Sequence, residues 1–147
     1  MKNDPAKHIH QMIVERDSLR ERIDSLESSI ESAAINYDKL RIKASAFNTF
    51  EERMAILIDM KIELTEQEAT LQKEISRVLD ICKECMDPIQ YHAVRLRMSG
   101  YTYEQIAKEV DYSKSGLYRL YKAGAREFAK KAQSEQQDVL SSILDKE

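Results

Sequence analysis

The sequence predicts an all-α chain: a long antiparallel helical hairpin (coiled coil) followed by a compact module of three shorter helices. Three observations predict it. Gly and Pro number three and two among 147 residues, too few for the many turns of an all-β or α/β plan. Two long stretches repeat apolar residues at alternating steps of three and four. The segment after residue 86 is cut into short pieces by Asp87-Pro88, Ser99-Gly100 and Asp111-Tyr112, each suited to a helix end. Charged residues make up 33% of the chain and apolar ones 42%, with no Trp, which suits long solvated helical faces.

The first helix starts at Pro5, with Asn3 or Asp4 as its cap and proline where a first-turn proline is tolerated. Its seam is Ile9, Met12, Leu19, Ile23, Leu26, Ile30 and Ala33, with Arg16 as the polar interruption. It is expected to end near Ala34. Residues 35–50 keep no clean helical stripe, and Leu40-Arg41-Ile42-Lys43 alternates as an extended segment does, so a long basic loop is expected there. Asn48 and Thr49 then offer caps for a second helix, with Glu51 and Glu52 as dipole partners in its first turn.

That second helix is expected from about Phe50 to Cys85, with a seam of Leu57, Lys61, Leu64, Glu68, Leu71, Ile75, Val78, Cys82 and Cys85. A loop centred near residue 42 pairs positions whose numbers sum to about 84. This register sets Ile30 near Met54, Leu19 near Leu64 and Arg16 beside Glu68, a pair of opposite charges in facing stripes, and leaves Lys61 without such a partner. Between Met54 and Leu64 the helix is apolar on more faces than one partner covers. Self-association through Met54, Leu57, Ile58 and Ile62, as a homodimer or higher homo-oligomer, is the expected remedy.

Charge separates the two parts. Residues 88–132 hold nine Lys/Arg against four Asp/Glu, a local charge of +5, so the remainder carries −8 of the net −3. A basic module on an acidic chain points to nucleic acid. Within it, Asp87 and Pro88 open a helix running to about Met98 with Ile89, Ala93, Leu96 and Met98 inward, and Ser99-Gly100 closes it. Thr102 caps the next helix, Tyr103–Val110, with Gln105 at capping-box spacing and Ile106, Ala107 and Val110 inward. After a tight turn at Asp111-Tyr112, Ser113 caps a third helix whose core face is Leu117, Leu120, Gly124 and Phe128.

Two short capped helices joined by about three residues, with small Ala107 at their crossing, make the plan of a helix-turn-helix. The outer face of helix 113–130 then shows Lys114, Ser115, Tyr118, Arg119 and Lys122, residue types that read base edges or hold phosphates in a major groove. The expected double-stranded DNA contacts are Thr102, Tyr103, Ser113, Lys114, Ser115, Gly116, Tyr118, Arg119, Lys122 and Arg126. Residues 91–128, from Tyr91-His92-Ala93 through Thr102-Tyr103-Glu104-Gln105-Ile106-Ala107 to Ser113-Lys114-Ser115-Gly116-Leu117-Tyr118-Arg119-Leu120, resemble region four of bacterial sigma factors. The resemblance implies that the matching helix reads a promoter element. Gly116 departs from that family, which commonly has Thr, Ser or a larger residue there. The longer plan resembles small phage and prophage transcription regulators with a sigma-like C-terminus. Sigma-like modules also contact RNA polymerase, which makes it a candidate further partner.

The expected organisation is thus a hairpin for oligomerisation over 1–86, the helix-turn-helix over 87–132 and a tail over 133–147. In the tail Val139, Leu140, Ile143 and Leu144 recur at helical spacing, either packed on the hairpin or continuing the third helix. Cys82 and Cys85 fall on the seam and read as apolar filling, since zinc normally takes four ligands and only His92 is near. His8 and His10 read as exposed. No Gly-rich phosphate loop, nucleophile elbow or metal-binding His pair is present, so neither enzyme activity, a cofactor nor a metal is expected. No apolar run approaches the roughly 18 residues of a membrane span, and the cytoplasm is the expected location. Two other functions share these features. One is a protein-interaction module contacting RNA polymerase or a sigma partner. The other is a small terminase-like DNA-recognition subunit, although such subunits usually place the helix-turn-helix first.

Overall fold

The computed structural model describes residues 4–39 and 44–144, and the described residues form an all-α chain of five helices. They are α1 (Pro5–Lys39), α2 (Ala44–Cys85), α3 (Pro88–Met98), α4 (Tyr103–Val110) and α5 (Lys114–Leu144). Both long helices exceed their expected lengths. Residues 35–39 continue α1, and residues 44–50 already belong to α2. The expected loop over 35–50 is therefore largely helix, because elongating an existing helix is easier than nucleating a new one. Asn48 and Thr49 lie inside α2 and not at its cap, and Glu51 and Glu52 are beyond its first turn. The alternating segment Leu40–Lys43 lies outside the described residues. None of the helices described is long and apolar enough to cross a membrane.

The chain divides into two compact units, one of Met1–Met12 with Glu74–Glu147 and the other of Ile13–Lys73. In the second unit α1 and α2 pack along the expected seams. Leu19, Ile23 and Leu64 are buried together, with Leu26 and Leu71 against them. Each such side chain removed from water contributes about 1.5–3 kcal/mol. The register differs from expectation by about one helical turn. Arg20 pairs with Glu68 at 2.5 Å, Arg16 donates to Gln72 at 2.8 Å and Lys61 pairs with Glu27 at 3.2 Å. Arg16 is thus not the partner of Glu68, and Lys61 does have one. Packing of the seam sets this register, and the midpoint of the connection does not. The three polar pairs follow along its edges.

In the first unit, the opening turns of α1 and the end of α2 join α3, α4 and α5. Asp4 caps α1: its carboxylate accepts the Lys7 N–H at 3.3 Å and its carbonyl accepts the His8 N–H at 3.1 Å. Buried side chains include Ala6, Ile9, Val78, Cys82, Val94, Ile106, Leu117 and Tyr121. α5 runs on through the expected tail to Leu144, so residues 133–144 extend that helix.

Candidate nucleic-acid interface

The module is built from three capped helices. Asp87 opens α3 with a reciprocal capping box: its carboxylate accepts the Gln90 N–H at 2.8 Å, and Gln90 Oε1 accepts the Asp87 N–H at 3.1 Å. Thr102 and Gln105 repeat the device at α4, at 3.2 and 3.0 Å. Each of these caps contributes on the order of 1 kcal/mol. Gly100, at φ 99°, takes the left-handed turn after α3, which a residue with a Cβ adopts at a cost. Asp111, at φ 60°, ends α4 in the same region, where a short polar side chain is tolerated. Ser113 then starts α5, its hydroxyl accepting the Gly116 N–H at 3.0 Å.

Polar residues take part in the inner faces, and this rotates α3 and α5 from their expected orientation. On α3, Ala93 and Val94 are buried, Ile89 is exposed, and Leu96 and Met98 are half-buried. Gln90 and Arg97 complete that face. Gln90 Nε2 donates to the Leu120 carbonyl at 3.1 Å, and the Arg97 guanidinium lies 4.3 Å over the Tyr103 ring. On α5 the buried line is Leu117, Tyr121, Gly124, Ala125 and Phe128, with Leu120 half-buried beside it. Gly124 lies close to α3: a Cβ there would meet Gln90 side-chain atoms at 3.2–3.4 Å.

The rotation leaves the expected recognition face outside. Lys114, Ser115, Tyr118, Arg119, Lys122 and Arg126 are all exposed. From Lys114 to Arg126 the helix carries four cations and no acid. Among the described residues none of the four forms an ion pair, whereas Lys130 and Lys131 further along pair with Glu127 and Glu84. Thr102 and Ser113 are exposed, with their hydroxyl oxygens committed to caps. Gly116 is half-buried, and a Cβ on it would meet Ser113 Oγ at 2.9 Å, so this glycine leaves room for the cap.

Tyr103 differs from the others. It is half-buried, edge-to-face with Tyr118 at 5.4 Å and Tyr121 at 5.6 Å, and burial raises its pKa. Its ring spaces α4 from α5 and backs the exposed Tyr118. Tyr121 is the residue that sequence reasoning missed. It is 1% exposed, its hydroxyl donates to the Asp4 carboxylate, and its oxygen accepts the Ala6 N–H at 3.3 Å. Burial and then that carboxylate hold its pKa far above the ordinary phenol value. The signal was its position four residues past Leu117; for Gln90 it was the three-residue spacing from Asp87.

Cys82 is fully buried and its thiol is pushed up to about 12, by burial first and then by Cys85. Cys85 is half-buried, and burial likewise raises its pKa. Both thiols are free, and His92 is exposed. Among the described residues no group of three or more His, Cys, Asp or Glu is placed to hold a metal ion. His8 and His10 are exposed, with His10 Nδ1 3.1 Å from the Met98 carbonyl. Of the residues expected to mediate self-association, Met54 and Leu57 are half-buried, and Ile58 and Ile62 are exposed. Comparison of the chain with protein-family models, curated proteins and solved structures returns no match.

Proposed function

We propose that the chain is a sequence-specific double-stranded DNA-binding transcription regulator of phage or prophage type, and that it lays α5 in the major groove. The observation that carries the reading is the run of four unpaired, exposed cations on the first thirteen residues of α5, projecting from a helix-turn-helix whose ends are capped. In such a module the N-terminal turns of the second helix meet base edges. Lys114 and Arg119 face guanine acceptors, and Ser115 reaches a base edge or phosphate. Lys122 and Arg126 meet the backbone where the helix leaves the groove. Thr102, at the exposed start of α4, faces the flanking phosphates. Tyr103 acts from behind, holding the angle between the two helices. The resemblance to sigma region four supports the same reading and makes RNA polymerase a further partner.

The test is selection of bound duplexes from a random pool by the intact protein, followed by titration of selected and scrambled duplexes at several salt concentrations. An enriched sequence is expected. With Lys122 and Arg126 neutralising phosphates, log affinity falls against log salt with a slope of roughly −1.8, at about −0.9 per contact. A slope near zero, or a pool without enrichment, removes the reading.

A further inference from the structure

α2 carries two stripes. One is the seam against α1. The other lies roughly a third of the way round the helix: Ala55, Ile58, Ile62, Thr65, Ala69 and Gln72, at steps of three and four. All six are exposed, Ile58 by 42% and Ile62 by 51%. None is charged, in a chain that is 33% charged. The opposite flank has no such continuity, since Ile56 and Met60 are followed one turn later by Glu63. Thr65, the polar residue at the middle of the stripe, already satisfies its hydroxyl by donating to the Lys61 carbonyl at 2.8 Å. It therefore loses little when water is removed.

We propose that this stripe binds the same stripe of a second copy of the chain, antiparallel, about a two-fold axis between Glu63 and Leu64. The size pattern selects the direction. In a parallel pair, Ile58 and Ile62 meet their own equivalents while Ala55 and Ala69 face each other across a gap. In the antiparallel pair, Ile58 faces Ala69 of the second copy and Ile62 faces Thr65. Large thus opposes small, as interdigitating layers require. The midpoint of the stripe coincides with the axis, so all six positions are used, over about 26 Å of helix. The edges are complementary as well. Glu52 lies beside Lys73 of the second copy, and Lys61, already paired with Glu27 of its own chain, lies beside Glu68, already paired with Arg20, while Asp59 and Glu66 form a like-charged contact that the two-fold axis makes twice. A two-fold pairing of this kind closes on itself, so the assembly stops at the dimer. The pairing does not depend on what α5 binds.

The intact protein is examined by sedimentation equilibrium up to about 100 µM, where even a micromolar interface is filled. A dimer is expected. Ile62→Glu is expected to weaken it about 100-fold, as loss of a central apolar contact does. Ile56→Glu on the opposite flank is expected to leave it within about 3-fold, as peripheral positions do. Both sites are exposed, so helicity by circular dichroism is expected to stay unchanged. Zero-length carbodiimide coupling in a mixture of 14N- and 15N-labelled protein adds the direction: links between Lys73 and Glu52 of different copies are expected. A monomer at every concentration overturns the proposal. So does a dimer indifferent to Ile62→Glu, or intermolecular Lys73–Glu68 links, which mark a parallel pair.

Discussion

Arg119 and Lys122 sit three residues apart on the exposed face of α5, and the proposed function gives them different tasks. In the proposed complex the planar fork of Arg119 takes two guanine acceptors, which a lysine cannot imitate. Arg119→Lys is expected to cost about 1–3 kcal/mol on the selected duplex and little on scrambled DNA. Lys122→Ala is expected to weaken both about equally. Titrations on the two duplexes at one salt decide this; an equal loss from Arg119→Lys on both would make Arg119 a phosphate contact and move base reading to Lys114 or Ser115. Inside the first unit, Cys82 and Tyr121 shape the response to alkali. A thiol or phenol whose pKa rises on folding holds its proton more tightly in the folded chain. Its contribution is complete below the unfolded value and is lost as pH climbs through the window above it. Stability is therefore expected to fall as pH rises from about 9 toward about 12 for Cys82, with Tyr121 adding its own loss above about pH 10. Denaturant titrations at stepped pH check this, and Cys82→Ala is expected to make the slope between pH 9 and 10 shallower, leaving the share of Cys85.

Two glycines of α5 show how the same substitution acts differently on one element. Gly→Ala inside a helix gains about 1 kcal/mol from propensity alone. At Gly116 the added methyl displaces Ser113 Oγ from its cap, a loss of similar size, so Gly116→Ala is expected to leave stability almost unchanged. At Gly124 it meets Gln90, whose side chain serves both the α3 cap and the Leu120 carbonyl. Gly124→Ala is therefore expected to destabilise by about 1–2 kcal/mol net, since overpacking outweighs the gain. Thermal unfolding of the two variants side by side makes the comparison. In the hairpin, Leu64→Ala opens a buried seam position and is expected to cost about 2–4 kcal/mol, whereas loss of the Arg20–Glu68 pair is expected to cost under about 1 kcal/mol, because exposed pairs are screened.

Over the whole molecule the net charge is −3, yet residues 88–132 carry +5. Binding to DNA is therefore expected to depend on where charge lies, and total charge is a poor guide to it. Lys122→Ala is expected to make the salt slope shallower by about 0.9, the share of one phosphate contact. Exchanging exposed Arg22 on α1 for Gln is expected to leave that slope untouched, although it changes the net charge by the same amount. Salt titrations of the two variants on one duplex separate local from global electrostatics.

The sequence by itself determined the helical class, the two seams and every boundary from Pro88 to Lys114. Local chemistry decides all of these. Caps act within three residues, Pro88 and Gly100 act on their own backbone, and a period of three and four needs no knowledge of the partner. The exposed cations of α5 were legible for the same reason, because Leu117 orients that helix. Only the tertiary structure decided the hairpin register, where the packed seam overrode the midpoint of the connection. It also decided the rotation of α3, whose inner face uses Gln90 and Arg97. Half-buried polar residues on an inner face leave no hydrophobic period to read. For Tyr121 the helical spacing from Leu117 was legible, but its partner was not. Its partner Asp4 is 117 residues away, and only folding brings that carboxylate to its hydroxyl.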